Sequence, residues 1–130
     1  MQFLMPPTVR EELAADVLHA DDFDKKERAS LAFQLARSWN IQPMDLSAAQ
    51  YETARRIGRR VRSLGLLPDE EINDGLILAE AALLNCSILL TSDAHLRGID
   101  FERPTFELQS FDLPTPVIAT PYEIVKKFFQ

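Results

Sequence analysis

From Gly75 to Leu84 nearly every position is apolar, with Ala and Leu dominating. Such a run favours helix, and apolarity on almost all sides makes it an interior helix rather than a surface one. Asn85 is suited to the left-handed conformation that ends a helix. Ser87 to Leu90 is short, apolar and bounded by polar residues, the pattern of a buried strand. Asp74 lies at the start of the helix and Asp93 just past the end of the strand. In a parallel α/β layer the helix runs antiparallel to the strand that follows it. A helix of about ten residues spans roughly 15 Å and a strand of about five roughly 16 Å. The two lengths match, so Asp74 and Asp93 are predicted to face each other at the carboxyl edge of the sheet, where open α/β sheets bind ligands. Two acids there form a cation site or a repulsion that needs another remedy. The alternative is that Asp74 only caps a helix and Asp93 only makes a turn.

Elsewhere the pattern alternates between short strands and amphipathic helices. Gln2 to Met5 reads as a strand that feeds a turn at Pro6-Pro7. Thr8 to Glu11 predicts a capping box with Thr8 as N-cap, opening a helix to Val17 or Leu18. Glu12 is left over in its first turns. The same strand-then-helix logic puts Glu12 near the carboxyl edge, although its spacing alone favours a solvated helix residue. Asp21 to Asp24 is an acidic break that lacks the alternating ligands, turn Gly and closing Glu of a calcium loop. Asp24 is expected to cap a second helix, on which Leu31, Leu35 and Trp39 recur at fourfold spacing. Ile41 to Met44 is at best an edge strand, because Pro43 cannot sit in a central one.

Ser47 to Gln50 predicts a second capping box, and the helix it opens carries Arg55, Arg56, Arg59, Arg60 and Arg62. Arg55, Arg59 and Arg62 share one face. They are either a phosphate-binding patch or a solvated face that balances nearby acids. Gly65 ends this helix. Arg97 to Leu113 reads as a long loop anchored by Phe101, Phe106 and Phe111. Pro116 to Ala119 reads as a last strand. Thr120 to Glu123 is a third capping box, with Pro121 at the favoured first position of a helix reaching Phe129. With no repeats and no linker, the expectation is one domain over residues 1–130, of α/β class, with a mostly parallel sheet of three to four short strands flanked by helices.

Composition narrows the function. The chain has 130 residues, a net charge of −6 and 26% charged residues. A net negative charge excludes nucleic-acid binding by bulk charge and requires a local basic patch for any such binding. No apolar run is long enough to span a membrane, and no signal-peptide pattern opens the chain. The single Cys86 cannot form an intrachain disulfide, in keeping with a reducing, cytoplasmic setting. Glu12, Asp74 and Asp93, with the Thr91 and Ser92 hydroxyls alongside, form a set of hard oxygen donors suited to Mg²⁺ or Mn²⁺. Such a site can activate water for in-line attack on a phosphodiester. No catalytic triad, phosphate loop or zinc spacing competes, and His19 and His95 are lone and receive no role.

Four segments, Pro6 to Leu13, Asn73 to Ala79, Leu90 to Leu96 and Val117 to Pro121, resemble successive motifs of PIN domains. The resemblance implies a parallel α/β sheet and a metal-dependent nuclease that usually acts on RNA, and many members of the family are toxins held by a small antitoxin. Carried over, it makes Glu12, Asp74 and Asp93 acidic metal ligands supported by Thr91 or Ser92. RNA, an antitoxin protein and a second copy of the chain are the partners it brings into view. The resemblance departs at the start, since PIN domains open with a strand that ends in an Asp and no Asp precedes Asp16 here. The expectation is therefore an N-terminally incomplete PIN-like domain, with Glu70, Glu71 and Asp45 as substitute acids among which the sequence does not select. Weak cleavage follows from this. The alternative is a catalytically inactive module that binds RNA or an antitoxin.

Overall fold

The computed structural model describes residues 2–91, 93–99 and 102–128. The chain divides into two compact units, Met1–Leu46 and Ser47–Gln130. Ser92, Phe101 and Phe129 of the readings above lie outside the described residues.

The first unit holds strand β1 (Leu4–Met5), helix α1 (Pro7–His19), helix α2 (Phe23–Ser38) and strand β2 (Gln42–Pro43). β1 and β2 pair in parallel, Leu4 opposite Gln42 and Met5 opposite Pro43. The ladder is closed by Gln42 N donating to Phe3 O and Met44 N donating to Met5 O, each at 2.9 Å. Pro43, which has no N–H to give, is exposed on this pair. α1 and α2 pack against each other.

Two helix starts differ from expectation. Thr8 is not the N-cap of α1: the cap is Pro6, with no side-chain hydrogen bond, and Pro7 is the first helical residue. The physical cause is the Pro6-Pro7 pair. A residue before proline is held extended, and proline itself is preorganised for the first helical position. Likewise Asp22 rather than Asp24 caps α2, its carboxylate accepting from Asp24 N at 3.0 Å.

The second unit carries helices α3 (Ala48–Ser63) and α4 (Ile72–Leu83), strand β3 (Ile88–Leu90), helices α5 (Ala94–Arg97) and α6 (Glu102–Gln109), strand β4 (Val117–Ala119) and helix α7 (Pro121–Phe128). β3 and β4 are parallel, in register from Ile88 opposite Val117 to Leu90 opposite Ala119. The strands are thus parallel as expected, but among the described residues they form two pairs rather than one sheet. The loop read from Arg97 to Leu113 contains α6, which Leu108 anchors by complete burial.

Two capping boxes form as the sequence predicts. Ser47 Oγ accepts from Gln50 N while Gln50 Oε1 accepts from Ser47 N. Thr120 and Glu123 make the same reciprocal exchange at the start of α7. Among the described residues four helix ends close by a left-handed residue, at Asn40, Gly65, Asn85 and Asp112. At each of them two backbone N–H groups bond back into the last turn, as Asn85 N to Ala82 O and Cys86 N to Ala81 O do for α4.

The core of this unit is the seam between α3 and α4. Ala54, Ile57 and Val61 meet Leu78, Ala79, Ala81 and Ala82, all at most 1% exposed. Gly58 and Gly75 let the backbones touch: a Cβ on Gly75 would lie 3.1 Å from Gly58 Cα. That close approach fixes the height of the residue before Gly75, which is Asp74. Glu80 is 1% exposed, an ionisable side chain buried inside the run that reads as nearly all apolar. Among the described residues no helix is long and apolar enough to cross a membrane.

Candidate active site

β3 runs out at Leu90, and Thr91 N extends the ladder by donating to Ala119 O at 2.9 Å. The chain then turns. Thr91 Oγ1 accepts from Asp93 N at 3.0 Å. Asp93 caps α5, its Oδ1 accepting from His95 N at 2.9 Å and Leu96 N at 3.1 Å. Both bonds converge on one oxygen, and they lock the rotamer of the Asp93 side chain at the end of the strand. Leu96, 1% exposed, pins the short helix to the core.

Asp74 comes to the same place from the first turn of α4 and is 9% exposed. Its pKa is pushed up from 3.8 to about 6. Burial is the largest cause, followed by the negative charges of Asp93 and then Glu71, with hydrogen bonds to the same two carboxylates. The two aspartates are therefore close neighbours. Asp74 Oδ2 is fully buried and has no hydrogen-bond partner. A buried carboxylate oxygen left unpaired beside a second carboxylate costs stability unless a proton or a cation meets it.

Two further residues complete the cluster. Glu71 sits at the N-cap position of α4 without capping it by its side chain. Its Oε1 lies 3.4 Å from His95 Nε2. Sequence reasoning left Glu71 among three substitute acids and gave His95 no role. The signals were present: Glu71 precedes Asp74 by one helical turn, and His95 follows the capping Asp93 by two residues. Of the other substitutes, Asp45 pairs with Arg10 at 3.0 Å in the first unit, and Glu70 is exposed.

Glu12 stands exposed on α1 in the first unit. Ser92 lies outside the described residues. The arginine face is distributed differently from a uniform patch. Arg55 pairs with Glu52 at 2.9 Å. Arg62 donates through Nε to Gly58 O at 3.3 Å and through Nη1 to Asp69 O at 2.9 Å, bracing the turn after α3. Arg59 is exposed and has no ion pair among the described residues.

The donor chemistry fits a hard divalent cation: two adjacent carboxylates, one with an unmatched oxygen, and a third acid one turn away. Among the described residues no three His, Cys, Asp or Glu side chains close into a metal-holding group. Mg²⁺ does not need such a cage, because it keeps several waters and is bound through one or two carboxylates plus substrate phosphate.

A family model described as PIN domain matches residues 2–102 of the chain. No curated protein and no solved structure matches it.

Proposed function

The chain belongs to the PIN domain family, a family of nuclease-like domains, and on that premise we propose that it is a Mg²⁺- or Mn²⁺-dependent ribonuclease working through Asp74 and Asp93. The observation that carries this reading is the buried, unpartnered Asp74 Oδ2 held beside Asp93.

In this reading Asp74 and Asp93 hold the cation and Glu71 supplies a third negative charge next to it. A bound divalent ion would supply Lewis-acid stabilisation of phosphate oxygens and a water made more acidic. The chain's own residues do the positioning. The bonds from His95 N and Leu96 N keep Asp93 Oδ1 in place, so that Oδ2 is the oxygen left to face a ligand. Thr91 fixes the backbone of Asp93 through its hydroxyl. The Gly58–Gly75 contact sets the position of Asp74 on α4. Glu12 is the acid that the family resemblance adds, and Glu12→Gln tests that role by its effect on cleavage.

A second reading has its own support in the lack of a closed three-ligand group among the described residues. It is a non-cleaving PIN module that keeps a binding surface for RNA or for an antitoxin protein. The deciding experiment is cleavage of a labelled single-stranded RNA with Mn²⁺, with Mg²⁺ and with EDTA. The nuclease reading expects metal-dependent cleavage that falls at least 100-fold in Asp74→Asn and in Asp93→Asn. Asn is itself a good N-cap, so Asp93→Asn keeps the structural role of that residue. Equal cleavage by wild type and both variants would remove the proposed site. No cleavage under any metal condition would leave the binding module.

A further inference from the structure

We infer that the open groove between α3 and α6 is a binding site for single-stranded RNA, recognised through phosphates and one stacked base. The inference rests on the RNA-directed reading above and adds a surface that the acid site does not include. The groove has a volume of about 850 Å³, and Arg56, Arg59, Arg60, Glu107 and Phe111 line it.

α3 is two-faced. Ala54, Ile57, Gly58 and Val61 are buried against α4, while Arg56, Arg59 and Arg60 turn to the groove. Arg60 is already neutralised, its Nε donating to Glu107 Oε2 at 3.1 Å. Arg59 has no ion pair among the described residues, and neither does Arg56, whose guanidinium carbon lies 5.9 Å from the centre of the Phe111 ring. Two cationic groups one helical turn apart thus stand without a carboxylate partner among the described residues, in a chain of net charge −6.

Phe111 is held firmly. It sits in the turn that closes α6, where Asp112 is left-handed and Leu113 N donates to Leu108 O at 3.0 Å. The groove therefore offers an aromatic ring on a well-tied backbone, the Arg56 guanidinium over one side of it and the Arg59 cation beside it. Ser63 and Ser110 donate their hydroxyls to the carbonyls of Arg60 and Glu107. With those donors used, neither serine has an O–H left to donate to a base edge. A polymer that alternates phosphates with flat bases uses all three. An acidic peptide would use the cations and leave the plane idle. Of the Arg55, Arg59 and Arg62 face that helical spacing singles out, the groove takes only Arg59, and it adds Arg56.

The test is fluorescence anisotropy of a fluorescein-labelled twelve-residue oligouridine RNA, in EDTA so that no cleavage intervenes, across 50–200 mM KCl. Arg56→Ala with Arg59→Ala is expected to weaken binding at least tenfold at the lowest salt. It should also flatten the log–log salt slope by about 1.4, at roughly 0.7 per phosphate contact for a single strand. Phe111→Leu, which keeps apolar bulk without the ring, is expected to weaken binding about tenfold with the slope unchanged. Lys126→Ala removes one exposed charge from α7 and should leave binding unchanged; circular dichroism confirms folding of each variant. The inference is overturned if the wild type does not bind the RNA, or if the double variant binds it as the wild type does. It is also overturned if an oligoglutamate peptide displaces the RNA as well as unlabelled RNA. Because binding is read without metal, loss of the nuclease reading leaves this result interpretable, and an active nuclease indifferent to these variants removes the groove alone.

Discussion

Asp74→Asn should make the metal-free protein more stable at neutral pH while removing its chemistry. Asp74 is 9% exposed, and its carboxyl is pushed up from 3.8 to about 6. At ~1.4 kcal/mol per pH unit, ionising it in the folded state costs about 3 kcal/mol relative to the unfolded chain. Asn is neutral, nearly the same shape, and can donate to Glu71 or Asp93 as the protonated acid does. Allowing about 1 kcal/mol for imperfect hydrogen bonding, the variant should gain about 2 kcal/mol at pH 7.5 in EDTA. For a chain of this length that is a rise in Tm of about 6–10 °C.

The sign can be checked through pH. A carboxyl whose folded pKa is raised binds more protons when folded, so its contribution to stability is full at or below pH 4. That contribution is lost as pH climbs from about 4 through about 6. The advantage of Asp74→Asn should therefore be gone at pH 4, where the hydrogen-bonding penalty leaves the variant up to about 1 kcal/mol less stable than wild type, and reach its plateau above pH 6.5. Urea unfolding of both proteins at pH 4, 5, 6 and 7.5 measures it. A variant less stable than wild type at pH 7.5, or a difference independent of pH, would refute the reasoning. Millimolar Mg²⁺ should then stabilise wild type by mass action and leave the variant unmoved.

Other expectations follow from the same structure. Gly75→Ala puts a methyl 3.1 Å from Gly58 Cα and 3.3 Å from Gly58 O, and should cost about 1–3 kcal/mol in urea unfolding by forcing α3 and α4 apart. An unchanged midpoint would show that the seam can open freely. Ser47→Ala removes the acceptor for Gln50 N at 3.2 Å and should cost about 1 kcal/mol, measured in the same way. Glu71→Gln removes a charge that raises Asp74, so the Asp74 carboxyl resonance in metal-free NMR titration should move to a lower midpoint than in wild type. No movement would place Glu71 outside the cluster.

Local rules made much of this architecture readable. Helix α4 is apolar on nearly all sides because it is buried on nearly all sides, and Asn85 takes the left-handed conformation that its place after the run requires. Matching the lengths of α4 and β3 was enough to bring Asp74 to Asp93, since antiparallel neighbours of equal length share an edge. The failures have equally local causes. Thr8 lost the cap of α1 to the backbone restriction of Pro6-Pro7, which outweighs a side-chain hydrogen bond. Helix α6 was hidden because eight residues carry only two turns of periodicity and Pro104 reads as a breaker, though proline is tolerated in a first turn. Spacing places Glu71 one turn before Asp74, but its contact with His95, like that of Arg56 with Phe111, joins residues distant in sequence, and no spacing rule reaches those.

The central claim is that Asp74 and Asp93 together hold a divalent cation. Crystals of the wild-type protein grown with Mn²⁺ test it directly through anomalous scattering. The account predicts one strong peak within roughly 2.0–2.3 Å of an oxygen from each aspartate, absent in Asp74→Asn crystals grown the same way. A peak bound elsewhere, or full Mn²⁺-dependent RNA cleavage with no density between the two carboxylates, would contradict it.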